Sequence, residues 1–427
     1  MKNALFCGVI LLLLVPFAAT AQSLAEERAL HQQILKNLSK DIKEYYYDPV
    51  FRGIDLDESI KKASDIIKGA NSVEEMTDMV ARVLFQFDDS HLGFIPPAKT
   101  ITIEYGWNIQ LIGEKVYVTE VDDDSDAQKK GIRPGDQVYM LDGFIPTRKE
   151  FSLLRYHYEV LAPRQKLTVI IVKPSGNRYQ IEIEAKLTRE TPFKPTTRDL
   201  KLKRERAFLT RTHQEFYDEV PGLSVWKIPS FEFSDIKVDK MIDRVRKSSA
   251  LILDLRGNRG GYVYSFQELI TAFFDRDITV GEIRSRKKVE TIILRGDGKK
   301  SFAGKMAVLI DSESSSASEM FARVVQIEKR GIVLGDRSSG KVMQSIIIPH
   351  FFGLDNRIGY GFSITDADLI MNDGKRLEKI GVLPDEMILP SPLDLANGRD
   401  PVLSRAARQF GFEMTPEVAG NIFKKKK

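Results

Sequence analysis

Three loops of this sequence contain residue types that can carry out acyl transfer. The first, residues 256–261, is rich in glycine; the second, residues 311–319, holds a serine cluster that includes Ser316; the third, residues 336–341, ends in Lys341. A glycine turn offers backbone N–H donors, a serine offers a nucleophile and a lysine can act as its base. The sequence therefore suggests a hydrolytic site built on serine, provided that the fold brings these loops together.

Each loop follows a short apolar run that predicts a buried strand, and amphipathic helical stretches lie between the runs. Strands that alternate with helices favour a parallel sheet covered by helices. Ligands bind such sheets beyond the carboxyl ends of the strands, so the loops meet there if the strands are neighbours. The predicted strands are residues 250–255, 306–310 and 331–335, and the predicted helices are 262–274 and 317–328.

Each part of this site also has an ordinary structural interpretation. Ser316 with Glu319 forms the Ser-x-x-Glu pattern of a helix capping box. The two interpretations are compatible, because a helix N-terminus leaves unpaired N–H groups that suit an oxyanion. The glycines of the first loop are also consistent with a simple tight turn, and Lys341 with an ordinary surface lysine.

Nucleotide and metal chemistry find little support in the sequence. Gly335-x-x-x-x-Gly340-Lys341 matches most of a phosphate-binding loop, but Val342 replaces the required serine or threonine, and the next residues predict a strand instead of a helix. None of the five histidines lies in the three loops or has metal-ligand spacing. We therefore expect no cofactor and no metal, and a lysine remains the available base.

Composition excludes some partners and bounds the domain count. The 427 residues carry a net charge of only +4, from 64 basic and 60 acidic side chains, which gives no reason to expect nucleic-acid binding. The chain is long enough for two or three domains. Helical periodicity, then short β-rich runs, then alternating strands and helices predict an α/β multidomain protein. The expected boundaries are 22–98 for a helical N-terminal domain, 99–190 for a small β-rich domain, 191–221 for a connector, 222–392 for a catalytic core and 393–427 for a C-terminal tail.

The first residues have the pattern of a secretory signal. Lys2 precedes an apolar run, and Ala19-Thr20-Ala21 has the small-x-small form of a cleavage site. A membrane anchor is the alternative, but the run is short for a span of ~20 residues. We expect residues 1–21 to be removed and the protein to be periplasmic or secreted, without a stable membrane span. The single cysteine, Cys7, lies within this signal, so no disulfide or thiolate nucleophile is expected.

Four ordered motifs resemble those of the C-terminal processing peptidases, also called tail-specific proteases. Residues 254–261, Asp-Leu-Arg-Gly-Asn-Arg-Gly-Gly, match the family's strand and turn, and residues 316–319, Ser-Ala-Ser-Glu, match its nucleophile motif. Gly340-Lys341 follows at the family's spacing, and Gly-Val-Leu-Pro-Asp closes the set at residues 381–385. Asp89-Ser90-His91 also fits the family. The resemblance extends over about residues 40–390 and implies a catalytic core with the ClpP/crotonase-like fold.

The resemblance also implies roles for individual residues. Ser316 is the expected nucleophile and Lys341 its base. The expected oxyanion donors are the amide of Ala317 and one from Gly260 or Gly261, and Glu319 is expected to fix the start of the helix. The family often carries a glutamine four residues after the lysine; here that position is Ser345, and Gln344 comes one residue earlier. A shift of one residue along a strand moves the side chain to the opposite face of the sheet. The sequence therefore leaves Gln344, Ser345 and Ser338 as alternative partners of Lys341.

Residues 127–143 match the family's PDZ domain, a module that binds an extended C-terminus as an added strand and its carboxylate in a backbone nest. The resemblance thus implies protein or peptide substrates that are bound by their C-termini. A catalytically inactive PDZ scaffold on the same fold is the alternative function. The expected carboxylate-binding segment is Tyr105, Gly106, Trp107, Asn108 and Ile109.

Overall fold

The computed structural model describes residues 15–97, 101–189, 213–233, 235–353 and 358–424. Most of the predicted connector, up to residue 212, and residues 1–14 of the predicted signal lie outside this part of the chain. The helices of the described residues are α1 (Val15–Tyr45), α2 (Leu56–Gly69), α3 (Val73–Phe85), α4 (Asp126–Lys129), α5 (Phe151–Tyr156), α6 (Asp235–Val245), α7 (Val263–Thr271), α8 (Ala317–Ile327), α9 (Pro392–Ala396), α10 (Pro401–Gln409) and α11 (Pro416–Ala419).

The strands include each one that the sequence analysis predicted around the three loops. They are β1 (Gly93–Ile95), β2 (Ile101–Glu104), β3 (Trp107–Ile112), β4 (Lys115–Val121), β5 (Gln137–Leu141), β6 (Lys166–Val172), β7 (Arg178–Glu184), β8 (Lys186–Arg189), β9 (Glu215–Tyr217), β10 (Leu223–Lys227), β11 (Ala250–Asp254), β12 (Ile278–Ser285), β13 (Val289–Leu294), β14 (Lys305–Ile310), β15 (Ile332–Gly335), β16 (Met343–Phe352), β17 (Ile358–Met371) and β18 (Glu386–Met387).

The chain divides into two compact units, and the first consists of the described parts of Met1–Ala98 and Ser345–Asp366. Helices α1, α2 and α3 pack around a core in which Ile34, Leu38 and Ile42 recur along one face of α1. Strand β1 pairs antiparallel with the first part of β17, and β16 pairs with β17. Two distant stretches of sequence thus build this unit.

Within the second unit, residues 101–189 form two sheets of their own, called the small β domain below, and a separate six-stranded sheet forms the parallel-sheet domain. In the small β domain the strands from β3 to β7 form an antiparallel sheet in sequence order, with β3 at one edge. Its core is apolar and includes Val118, Ile171 and Val169, all with no exposed surface. Strands β2 and β8 pair separately.

The parallel-sheet domain is built on the strand order β18-β15-β14-β11-β10-β9. All neighbours from β18 to β10 are parallel, and β9 is antiparallel to β10. One face packs against α6, α7 and α8, and the other against α10 and α11. The segment expected to be a C-terminal tail instead packs on the sheet, because Val402, Leu403 and Ala406 bury one face of α10 against it.

Among the residues that the structure describes, no helix has both the length and the apolar character needed to cross a bilayer. Within the same residues, no group of three or more His, Cys, Asp or Glu side chains is arranged to hold a metal ion.

Candidate active site

The three predicted strands are direct neighbours, so their loops leave the sheet at the same edge. Strand β14 lies between β11 and β15, with Asp254 in register with Leu309 and Ile310 in register with Gly335. This adjacency was the condition on which the sequence analysis depended, and it is confirmed. The glycine turn, the serine loop and the lysine loop therefore meet at the carboxyl ends of the strands.

Ser316 occupies the turn between β14 and α8 in an unusual backbone conformation. Its φ is 55° and its ψ is −118°, a region that residues other than glycine seldom adopt. Its N–H group donates to the carbonyl oxygen of Lys341 at 2.9 Å. The loop of the candidate nucleophile is thereby bonded directly to the loop of the candidate base, and the side chain of Ser316 stays half-exposed.

Glu319 joins the two loops more extensively than the sequence analysis expected. Its buried carboxylate accepts from the N–H groups of Ser316 at 3.1 Å, Gly340 at 2.8 Å and Lys341 at 2.9 Å, and from the hydroxyl of Ser338. Burial raises the pKa of Glu319 to about 7, although these four donors act to lower it. Glu319 thus fixes both the start of α8 and the position of the lysine loop.

The glycine turn lies against Ser316 so closely that a side chain has no room. Gly260 has a φ of +90°, and a Cβ atom there would lie 2.8 Å from Cβ of Ser316 and 3.2 Å from the nitrogen of Ala317. Asn258, fully buried, holds the turn: its side chain donates to the Ile228 carbonyl at 2.9 Å and accepts from the Gly260 N–H at 2.8 Å. Only glycine fits this position.

The Asn258 contact bears on the candidate oxyanion donors. The N–H of Gly260 already donates to Asn258, so it is engaged in this structure. Among the described residues, no acceptor bonds the N–H of Ala317 or that of Gly261. These two groups are the available pair, one at the N-terminus of α8 and one at the end of the turn.

Lys341 is partly buried, and its amine bonds a hydroxyl other than that of Ser316. The ammonium donates to the hydroxyl of Ser152 at 2.5 Å, and Ser152 belongs to α5 of the small β domain. Among the described residues, no hydrogen bond joins the amine to the Ser316 side chain. Burial lowers the pKa of Lys341, and the positive charges of nearby arginines and Lys379 lower it further. A lowered pKa favours the neutral amine that a base requires, and in this structure the Ser152 hydroxyl holds that amine.

The small β domain contacts the same loops that carry the candidate catalytic residues. Asp311 accepts from the Gln110 side chain at 2.7 Å and from the Gly257 N–H at 3.0 Å. Both carboxylate oxygens of Asp336 accept from one terminal nitrogen of Arg148, at 2.8 and 2.9 Å. Burial raises the pKa of both aspartates. Sequence reasoning missed these partners; the available signal was that each aspartate directly follows a predicted strand.

The residues considered as partners of Lys341 lie in different surroundings. The Ser338 hydroxyl bonds Glu319 and accepts from the Val382 N–H at 2.6 Å, so it supports the carboxylate. The Ser345 hydroxyl accepts from Ser363 at 3.1 Å in the first unit. Gln344 is the second residue of β16. The predicted strand after Gly340 and Lys341 is thus confirmed, and it stands where a phosphate-binding loop would require a helix.

The segment expected to bind a carboxylate begins in a turn and continues into the edge strand β3. The Tyr105 hydroxyl bridges the N–H and the carbonyl of Arg164, each at 3.0 Å, and Gly106 has a φ of +71°. Trp107, Asn108 and Ile109 then pair with β4 across a bulge. Farther along β3, the Leu111 carbonyl accepts from the Ser312 hydroxyl, so the serine loop occupies part of this edge.

Comparisons with known proteins agree with this geometry. Residues 223–388, which include all three loops, match the model of peptidase family S41. The chain is 23% identical over 406 residues to a carboxyl-terminal-processing protease of Picosynechococcus, covering 91% of this chain and 90% of the relative. It is 26% identical over 287 residues to the tail-specific protease of Haemophilus influenzae, where the match covers 62% of this chain but only 39% of the relative.

The fold is also similar to that of solved structures. Mature CPAF superposes with a TM-score of 0.66 at 15% identity, covering 87% of this chain and 94% of the other. This likeness shows the fold alone, whereas the family match over residues 223–388 and the two named relatives lead to one conclusion: the chain is similar to peptidase family S41 and is a serine-type peptidase.

Proposed function

We propose that this protein is an exported serine endopeptidase that recognises protein C-termini and cleaves with Ser316 as nucleophile and Lys341 as base. The observation that carries the proposal is the joining of the two loops: the Ser316 N–H bonds the Lys341 carbonyl, and Glu319 accepts from both backbones. A nucleophile and a base need this kind of fixed spacing.

The proposed reaction starts with a neutral lysine. As Ser316 Oγ attacks the scissile carbonyl carbon, Lys341 Nζ takes its proton, and the N–H groups of Ala317 and Gly261 bind the oxyanion. When the C–N bond breaks, the leaving amine takes the proton from Lys341. Water then attacks the acyl-enzyme ester, gives its proton to Lys341 and releases Ser316, which recovers that proton.

Before the first step, Lys341 has to form a hydrogen bond to the Ser316 hydroxyl. Its amine bonds Ser152 in this structure, whereas a general base must come within about 3 Å of the proton that it accepts. A lysine side chain has several rotatable bonds and reaches a new partner by rotation. The described arrangement therefore corresponds to a resting state in the proposed mechanism.

For substrate recognition, we assign the C-terminal carboxylate to the turn at Tyr105 and Gly106, and the preceding substrate residues to the edge strand β3. An edge strand has unpaired backbone groups that an extended peptide can bond. Trp107 and Ile109 are partly buried in the core of the small β domain and lie on the part of β3 before the Leu111 contact.

For export, we assign residues 1–21 as the signal. The intact mass of secreted protein tests this assignment, and we expect a chain that begins at Gln22.

The direct test is the incubation of the protein with an unfolded protein substrate, beside a Ser316→Ala control. Cleavage by the unmodified protein alone supports the peptidase. Binding of the substrate tail without any cleavage would replace the proposal with an inactive scaffold on the same fold.

A further inference from the structure

We propose that Arg259, next to the candidate oxyanion donors, selects substrates with a carboxylate close to the scissile bond. The carboxylate is either an acidic side chain or the free C-terminus of a substrate that is cut very near its end. This inference rests on the proposed peptidase activity and adds the chemical class of the preferred substrate.

The backbone fixes the position of Arg259 beside the reacting groups. It lies between Asn258, which is fully buried, and Gly260, which packs directly against Ser316 and Ala317. Its own side chain is 62% exposed. The Arg259 backbone is thus held by the core of the turn while its guanidinium reaches solvent at the rim of the site, where a bound peptide must pass.

The guanidinium has unused capacity for a carboxylate. One of its terminal nitrogens donates to Glu313 at 3.0 Å, and Arg155 of α5 bonds the same Glu313 oxygen. Among the described residues, no acceptor contacts the other two nitrogens of Arg259. An arginine fork binds a carboxylate through two parallel N–H groups, so Arg259 can take a substrate anion in addition to Glu313 or in its place.

The charges around the site also favour an anionic substrate. Arg155, Arg259 and Lys379 are close enough to Lys341 for their positive charges to lower its pKa. The acidic groups around these cations include Glu313, which is shared by two arginines, Glu159, 3.8 Å from Arg155, and the buried Glu319, whose charge acts to raise the pKa of Lys341. Arg259 is far more exposed than its partner Glu313, 62% against 21%, so its positive charge is the one that reaches the rim, where it attracts a carboxylate and repels a basic substrate residue.

The test compares pairs of peptides that differ only by Glu or Gln within two residues of the scissile bond. The unmodified enzyme should cleave the Glu peptide about fivefold faster in kcat/KM, the ratio expected from ~1 kcal/mol for a partly exposed ion pair. Arg259→Gln should bring the ratio close to one, and Arg259→Glu should reverse it in favour of a Lys peptide. Arg276→Gln, an equally exposed arginine paired with Glu328, is the control and should keep the ratio.

A third peptide separates the two sources of the carboxylate. It carries Gln near the bond and ends two residues beyond it, either as a free acid or as an amide. If the enzyme prefers the free acid and Arg259→Gln removes that preference, Arg259 binds the terminal carboxylate. If only the Glu peptide is preferred, Arg259 binds the acidic side chain. Equal cleavage of all peptides by the unmodified enzyme, or a ratio that survives Arg259→Gln, overturns the inference. Failure to cleave any peptide overturns the proposed function itself.

Discussion

At the scale of single residues, Glu319 is the group on which the geometry of the site depends most. Each carboxylate oxygen accepts two hydrogen bonds, one oxygen from Ser316 and Lys341 and the other from Ser338 and Gly340. A glutamine at this position keeps only one acceptor oxygen. Depending on which oxygen is replaced, either the N–H groups of Ser316 and Lys341 or the Ser338 hydroxyl and the Gly340 N–H lose their acceptor. The cost of each unpaired buried donor is ~1–3 kcal/mol.

We therefore expect Glu319→Gln to lower both the activity and the free energy of unfolding. Peptide cleavage should fall at least tenfold, because the nucleophile and base loops are no longer held together, and urea unfolding should show a loss of about 2 kcal/mol. Glu328→Gln, a change near the other end of the same helix, should cost less than about 1 kcal/mol and leave cleavage unchanged. An active and equally stable Glu319→Gln protein would show that this carboxylate does not position the site.

The second residue-scale prediction concerns the protonation of Lys341. Its pKa is lowered, by burial first and then by positive neighbours, and only the neutral amine can accept a proton. Cleavage should thus rise with pH through an ionisation below that of an ordinary lysine. Lys341→Arg should abolish the activity, because the guanidinium does not lose its proton in this range. Measured pH–rate profiles test both points, and activity in the arginine variant would require another base.

At the scale of elements, the most buried ion pair between the lysine loop and the small β domain joins Asp336 and Arg148. The Asp336 side chain is 6% exposed and that of Arg148 is 13% exposed, and Asp336 also accepts from the Gly113 N–H at 2.8 Å. Loss of the carboxylate leaves the largely buried Arg148 with only the exposed Glu114, 3.3 Å from its Nε atom, as an anionic partner. Breaking such a pair is far more costly than removing a surface pair.

We expect Asp336→Asn to lower the free energy of unfolding by about 3 kcal/mol, measured in urea. The matched control is Arg337→Gln, which removes the neighbouring and more exposed pair with Glu114 and should cost less than about 1 kcal/mol. Equal effects of the two substitutions would show that Asp336 does not anchor the small β domain. Faster amide exchange in α5 of the Asp336→Asn protein would locate the loss at this contact.

At the scale of the whole molecule, the sequence predicts local elements well and distant partners poorly. The strands before the three loops and the start of α8 at Ser316 follow from apolar runs and a capping pattern. The bond between Lys341 and Ser152 joins residues 189 positions apart, and the capture of the Gly260 N–H by Asn258 depends on a side-chain orientation. No local pattern encodes either contact, since both arise from the packing of domains and turns.

Tail recognition is the prediction that involves the whole chain, because the proposed carboxylate site and the candidate catalytic residues lie in different domains. Hydrogen bonds to a charged group contribute ~1.5–3 kcal/mol, so amidation of a substrate's C-terminus should slow cleavage by roughly tenfold or more. Steady-state kinetics on matched free-acid and amidated proteins measure the effect. A cut site far from the C-terminus separates this effect from that of Arg259. Equal rates would remove tail recognition and leave the peptidase proposal intact.

The central claim, that Ser316 forms an acyl-enzyme, is tested most directly by trapping that intermediate. The protein is mixed with an activated peptide ester, quenched in acid and digested with trypsin, and the fragment of residues 306–323 is sequenced by mass spectrometry. We predict that the acyl group is on Ser316, with no adduct in Ser316→Ala. An adduct confined to another residue, or cleavage of a peptide by a folded Ser316→Ala protein, would contradict the account.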